Sequence, residues 1–158
     1  GKVFSAGADL DEITRGLATD PAWGRASSAL ADLPFLSVAS LNGTLAGGAF
    51  GLALACDLRV AVAGAQFFYP VMKLGQLPQV PDAPRLTALV GPSRAKLLLL
   101  AGQRISAEEA LAWGLIDRIA EPDRLDDVTM DLFAASLEAR EGHTEGLKKF
   151  CFCQSDLT

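Results

Sequence analysis

Residues 42–57 run NGTLAGGAFGLALACD: a turn dipeptide, a short apolar step, two adjacent glycines, and an uncharged run closed by Asp57. Asn42-Gly43 is a strong turn signal. Residues 47–55 are small and apolar, which predicts a buried helix opening on two glycines. Upstream, Pro34 closes one region and residues 36–41 read as a short buried strand. Downstream, residues 58–63 alternate toward a strand and residues 65–69 add another. Strand and helix alternate through this middle part, which indicates an α/β fold with parallel strands and a helical tail.

Farther out, residues 9–17 and 21–33 carry apolar side chains at helical spacing: Leu10, Ile13 and Leu17, then Trp23, Ala26, Leu30 and Leu33. Residues 76–84 hold Pro78, Pro81 and Pro84 and are expected to be irregular. Helices are predicted over 85–90 and 92–101, the second with Pro92 in its first turn and Gly102 beyond its end. Ser106-Ala107-Glu108-Glu109 is a capping box that starts a helix ending near Gly114, with a strand over 115–119. Residues 123–140 read as one long amphipathic helix bearing Leu125, Val128, Leu132 and Leu137, and residues 144–152 as a last helical stretch.

The whole-chain numbers narrow the function classes. With 158 residues, half of them hydrophobic and 21% charged, the chain has the composition of a globular domain. Its formal charge is −5 and it has no block of basic residues. Electrostatic binding to nucleic acid or an anionic membrane is therefore not expected. An anionic small ligand remains compatible, because backbone N–H groups and a few local cations can hold phosphates. One histidine and three cysteines, Cys56, Cys151 and Cys153, do not make a metal site, and none is expected. With no signal peptide and no apolar stretch of eighteen residues, the expected setting is reducing, soluble and cytoplasmic.

Two glycine-bearing loops carry the chemistry. Ser5-Ala6-Gly7-Ala8-Asp9-Leu10 and Asn42-Gly43-Thr44-Leu45-Ala46-Gly47-Gly48 each run into a predicted helix. Backbone N–H groups are unpaired at such points, and glycine allows close approach. Two such donors converging on one carbonyl oxygen form an oxyanion hole, which stabilises an enolate or tetrahedral intermediate. Either segment alone also reads as an ordinary glycine loop.

Three segments in order, FSAGADL, NGTLAGGAFGLALACDLRVA and LVGPSRAKLLLLAGQRISAEEALAWGLIDRI, resemble successive signatures of the crotonase superfamily, the enoyl-CoA hydratase/isomerase type. The resemblance implies a spiral of β-β-α units, with a core over 1–120 and a C-terminal helical region over 121–158. It also implies further strands ahead of Gly1, an acyl-CoA substrate, no cofactor beyond the coenzyme A of that substrate, and a homotrimer or hexamer. Its oxyanion amides map onto Ala8 and Gly48, and Ala6, Ala8, Asp9, Leu10, Gly47 and Gly48 would line the substrate site.

The departures matter as much as the match. Hydratases of the family carry a glutamate three residues after the oxyanion glycine, where this chain has Gly51, and a second after a proline, where it has Val71. Neither residue can move a proton, so ordinary hydration is not expected. Gln79 falls where dehalogenating relatives place a nucleophilic aspartate, and an amide is no nucleophile. Asp82, three residues on, is the candidate acid/base if its loop reaches the pocket, although its place between two prolines also reads as a solvated turn or helix cap. Tyr69, Lys73 and Gln76 are the other polar groups nearby, with core or surface roles as their simpler readings. His143 reads as a surface residue and Asp57 as a structural carboxylate.

These observations predict enolate-stabilising chemistry other than hydration, such as decarboxylation, on an acyl-CoA. The alternative is a non-catalytic acyl-CoA-binding or scaffold subunit. A dinucleotide-binding reading is weaker, because residues 46–51, AGGAFG, lack the GxGxxG spacing.

Overall fold

The computed structural model describes residues 1–7, 11, 16 and 20–152. The expected helix over 9–17 lies almost wholly outside the described residues, as does Cys153. The architecture is α/β, as the sequence predicts. Two sheets form, with successive strands alternating between them from β1 to β5. Strands β1 (Val3–Ser5), β3 (Thr44–Ala46), β5 (Gln66–Phe68) and β6 (Ile105–Ser106) make one sheet, in that order, while β2 (Val38–Leu41), β4 (Leu58–Val62) and β7 (Arg118–Ala120) make the other. All pairings are parallel except β5 with β6.

The alternation is the β-β-α spiral. The chain leaves β2, turns at Asn42-Gly43, enters the other sheet as β3, and returns through helix α2 (Ala49–Ala55) to β4; α1 is Pro21–Ala31. Parallel neighbours need such a crossover, and the apolar helix supplies it while burying its own surface. The strand β3 is a difference from the sequence reading, which has 42–48 as loop. Three residues are too few for a periodic signal, and pairing with β1 and β5 decides the conformation.

The core lies between these layers. Phe50, Val60, Ala61, Phe67, Leu41 and Leu86 are wholly buried, each large apolar side chain contributing about 1.5–3 kcal/mol. Arg59 is buried at the junction of α2, β4 and β7. Its Nε donates to the Leu115 carbonyl at 2.7 Å, its Nη1 to the Cys56 carbonyl at 2.7 Å, and its guanidinium lies 3.6 Å from Asp117. Burial lowers its pKa, and the Asp117 carboxylate opposes that.

Two helix expectations are corrected. Helix α3 (Val71–Leu74) is a single turn, and α4 (Asp82–Val90) starts three residues earlier than expected. Pro84 sits in the first turn of α4, where the missing N–H costs no intrahelical bond. Helices α5 (Pro92–Leu99) and α6 (Ala107–Trp113) follow, and the Ser106–Glu109 capping box forms with both of its hydrogen bonds. The single helix expected over 123–140 is instead α7 (Leu125–Asp131) and α8 (Ala134–Leu137). The Leu132 and Phe133 N–H groups bond three residues back rather than four, to Thr129 and Met130, which tightens and ends the turn. Helix α9 (His143–Phe152) closes the described chain, and Lys148 on it reaches Asp57 at 2.8 Å.

Candidate active site

The parallel pairing of Val3 with Thr44 and Ser5 with Leu45 sets the ends of β1 and β3 side by side. The Ala6-Gly7 and Gly47-Gly48 corners are thereby brought together. They touch closely: a Cβ on Gly7 would sit 3.6 Å from the Gly47 Cα. Gly7 and Gly47 have φ of +107° and +66°, values a side-chain-bearing residue rarely adopts. The Gly47 and Gly48 carbonyls accept from Phe50 and Gly51 at 2.9 and 3.2 Å. With the carbonyls turned along α2, the N–H groups of this corner face the opposite way.

These corners form one wall of a cavity of about 450 Å³. Trp23 of α1 covers Gly48, with its ring 3.5 Å from where a Gly48 Cβ would stand. Tyr69 and Val71 form another part of the wall, and Lys73, Gln76, Gln79 and Arg104 bring polar groups. Lys73 and Arg104 are exposed. The Arg104 guanidinium lies 4.0 Å over the Phe68 ring and donates to Gln66 Oε1 at 3.1 Å, so its cation is held in place.

Asp82 is where sequence and structure diverge most. It is not a solvated turn: it begins α4 and is 1% exposed. Tyr69 Oη donates to Asp82 Oδ2 at 2.8 Å, and the Tyr69 ring stacks on Phe50 at 5.5 Å. Asp82 Oδ1 is the one buried side-chain nitrogen or oxygen without a hydrogen-bond partner among the described residues. Burial pushes the Asp82 pKa above the usual carboxylate range, while the Tyr69 hydrogen bond and the Arg85 charge pull it back. Burial and the adjacent carboxylate both raise the Tyr69 phenol above its ordinary value.

The carboxylate faces Gly51. A Cβ built on Gly51 would fall 2.6 Å from Asp82 Cγ, well inside van der Waals contact. The Gly51 carbonyl accepts from Ser27 Oγ at 3.2 Å, and Ser27 in turn accepts a short hydrogen bond from Arg85. Gly51 thus lies between the glycine corner and a buried acid.

Of the residues singled out in the sequence, Ala6, Gly47 and Gly48 line the cavity, as do Tyr69, Val71, Lys73, Gln76 and Gln79. Ala8, Asp9 and Leu10 lie outside the described residues. Asp82 and Gly51 sit behind the wall at Tyr69. Trp23 and Arg104 were missed. Trp23 reads as one apolar position among several, and Arg104 is one of many exposed cations until the β5–β6 pairing sets it beside Phe68. His143 is exposed, and Asp57 is structural, its Oδ2 accepting from Ser37 N and Oγ, both at 2.8 Å.

A spiral of β-β-α units with two glycine corners meeting at an apolar cavity is the architecture of the acyl-CoA-processing crotonases. The chain belongs to the enoyl-CoA hydratase/isomerase family, whose sequence profile matches residues 1–157. It is similar to carnitinyl-CoA dehydratase of Salmonella paratyphi A, at 38% identity over 135 residues, covering 83% of this chain and 52% of that protein. Among solved structures it is similar to Pseudomonas aeruginosa DspI, at 31% identity and a TM-score of 0.89, covering 99% of this chain and 66% of that one. A putative enoyl-CoA hydratase from Thermobifida fusca, solved in complex with CoA, matches at 28% identity and a TM-score of 0.87, covering all of this chain and 66% of that one. The chain spans about half the length of the curated relatives it matches.

Proposed function

We propose that the cavity binds an acyl-CoA thioester and stabilises its enolate between the backbone N–H groups of Ala8 and Gly48. The observation that carries this reading is the contact of the Gly7 and Gly47 corners on one wall of an apolar cavity. Backbone donors aimed at a developing oxyanion are a large electrostatic contribution in such chemistry. Ala6, Asp9, Leu10 and Gly47 would contact the acyl-thioester portion, and the exposed Lys73 and Arg104 would meet the phosphates of coenzyme A. The Salmonella relative's name, a dehydratase of carnitinyl-CoA, supports a thioester substrate.

Gly51 and Val71 stand where hydratases of the family place their glutamates, so the reaction is enolate chemistry other than simple hydration. Decarboxylation is the form that needs least from those positions. The bond from Cα to the carboxylate breaks, its electron pair passes into the thioester enolate, CO₂ leaves, and Cα takes up a proton. The same two empty positions favour a second reading, a non-catalytic acyl-CoA-binding subunit. A cytoplasmic homotrimer or hexamer, without a metal or separate cofactor, completes the proposal. No helix among the described residues is long and apolar enough to cross a membrane.

The test is calorimetric titration of the full-length protein with an acyl-CoA. Gly48→Pro, which removes the donor, is expected to weaken binding or turnover of the thioester at least tenfold. Equal titrations for the two proteins would remove the oxyanion assignment.

A further inference from the structure

Gly51 and Asp82 are 31 residues apart in sequence, yet one occupies the space the other leaves open. Both Asp82 carboxylate oxygens and its Cγ crowd the point where a Gly51 Cβ would be, with Cγ at 2.6 Å. A side chain at position 51 would force the Asp82 carboxylate out of the position it holds. Gly51 is also one helical turn from the oxyanion corner, its N–H bonded to the Gly48 carbonyl at 3.2 Å. A carboxylate beside it is held directly behind the cavity wall at Tyr69, carried there by α4 rather than by α2.

The carboxylate is not satisfied as a structural one would be. Tyr69 donates to Oδ2 and the Gln79 backbone also hydrogen-bonds the carboxylate, yet Oδ1 has no partner among the described residues at 1% exposure. A buried, half-satisfied carboxylate is destabilising, and a fold retains such a cost most readily at a functional site. Tyr69 is the member of the pair that lines the cavity. Its ring is fixed by stacking on Phe50, and its backbone carbonyl accepts from Val71 N–H at 2.8 Å.

Resting on the acyl-thioester reading above, we infer that Tyr69 and Asp82 are the proton-handling pair of this site, with Asp82 filling in space the role that Gly51 vacates in sequence. Tyr69 is the group that meets the substrate, and Asp82 is the positioning residue behind it. In the step assigned to them the substrate Cα–H bond breaks and its electron pair passes into the thioester enolate. The proton goes to Tyr69 Oη as the phenolic proton moves along the 2.8 Å hydrogen bond to Asp82 Oδ2. The reverse path returns a proton to carbon. Among the described residues the charged group acting on Asp82 is Arg85 of its own helix, whereas α1 and α2 present the uncharged Ser27 and Gly51.

The test is deuterium exchange at Cα of butyryl-CoA in D₂O, read by mass spectrometry with the full-length protein, beside calorimetric binding of the same thioester. Wild type is expected to exchange at least a hundredfold faster than the protein-free control, with a pH midpoint above the ordinary carboxylate range. Tyr69→Phe keeps the stacked ring, and Asp82→Asn keeps an acceptor for the phenol. Each should lower exchange by about 10²–10⁴-fold while the dissociation constant stays within threefold. The double variant Gly51→Glu with Asp82→Gly returns the carboxylate to α2 and should recover exchange to within tenfold of wild type. Thioester binding without exchange in wild type, or exchange unmoved by Asp82→Asn and Tyr69→Phe, would leave the pair structural and overturn the inference. Loss of thioester binding in wild type itself would instead overturn the acyl-CoA reading beneath it.

Discussion

Asp57 and Asp82 lie near opposite ends of the same short helix, and both are largely withdrawn from water, yet only one is finished as a structural carboxylate. Asp57 Oδ2 accepts from Ser37 N, Ser37 Oγ and Lys148 Nζ, each at 2.8 Å. Its own N–H donates back to Ser37 Oγ at 3.0 Å. It ties the start of β2, the end of α2 and helix α9 together. Asp82 has the Tyr69 hydroxyl on one oxygen, a bare second oxygen, and a pKa raised by burial. A buried acid that fastens secondary structure is satisfied from several elements, because that is how the cost of removing its charge from water is offset. An acid left short of partners behind a cavity wall retains a driving force to take up a proton. The contrast separates a fastening from a reactive group without reference to any relative.

The contrast can be broken most forcefully at Asp57. Asp57→Ala removes a charge-assisted set of bonds, leaving Ser37 N–H without its acceptor and Lys148 with only the Phe35 carbonyl at 3.1 Å. A loss of about 3 kcal/mol is expected, taken from urea or guanidinium denaturation. The folded fraction should still bind acyl-CoA as wild type does. A stability loss below 1 kcal/mol would mean that Asp57 is not the fastening described, and the comparison would lose one of its sides.

Gly51→Ala tests the other side by steric means. In a helix interior this change normally stabilises by about 1 kcal/mol. Here the new methyl meets the Asp82 carboxylate, so a net loss of about 1–2 kcal/mol is expected. Removing the obstacle should reverse the sign: in an Asp82→Ala background, Gly51→Ala should be neutral or stabilising. The double-mutant cycle therefore carries a coupling of about 2 kcal/mol. Independent, additive effects would show that the two positions do not share one space.

How much of this was legible in the sequence follows from the range of the interactions. The α/β character with parallel strands was readable from the apolar run after Gly47-Gly48 and from the alternation of strand and helix around it, because burial and periodicity are local signals, whereas the β-β-α spiral was implied only by the family resemblance. The capping box at Ser106 was readable for the same reason. The three-residue strand β3 and the break at Leu132 were not, since one rests on partners far along the chain and the other on a single tightened turn. At the site, the glycine corners were visible as loops, but their meeting depends on the β1–β3 register. Asp82 was named, yet its two flanking prolines read as a solvated turn. Nothing local records that α4 carries it against Gly51, since a steric exclusion between positions 31 residues apart leaves no periodic trace. The absence of glutamate at position 51 was plain, whereas its spatial replacement required the packing.

The finest test of the comparison is the pH dependence of stability, where the expected effect is smallest. Asp82 has its pKa raised in the folded state, above the ordinary value of 3.8 that it regains on unfolding. Between those two values the folded protein holds more protons than the unfolded chain, so stability falls as pH rises through that window. Below the ordinary value both states are protonated and the carboxyl costs nothing extra. Above the folded value the full cost of the buried charge is present, tempered by Arg85 and by the Tyr69 hydrogen bond. Asp82→Asn replaces the acid with a group of the same shape that does not titrate. The melting temperatures of wild type and Asp82→Asn should therefore nearly coincide near pH 3. They should separate in favour of the variant as pH approaches neutrality, by about 2–4 °C for a stabilisation of about 1 kcal/mol. An Asn variant that is less stable at neutral pH, by a margin that grows as pH rises, would mean that the charged carboxylate is stabilising. Asp82 would then belong with Asp57, and the distinction between the two ends of the helix would be lost.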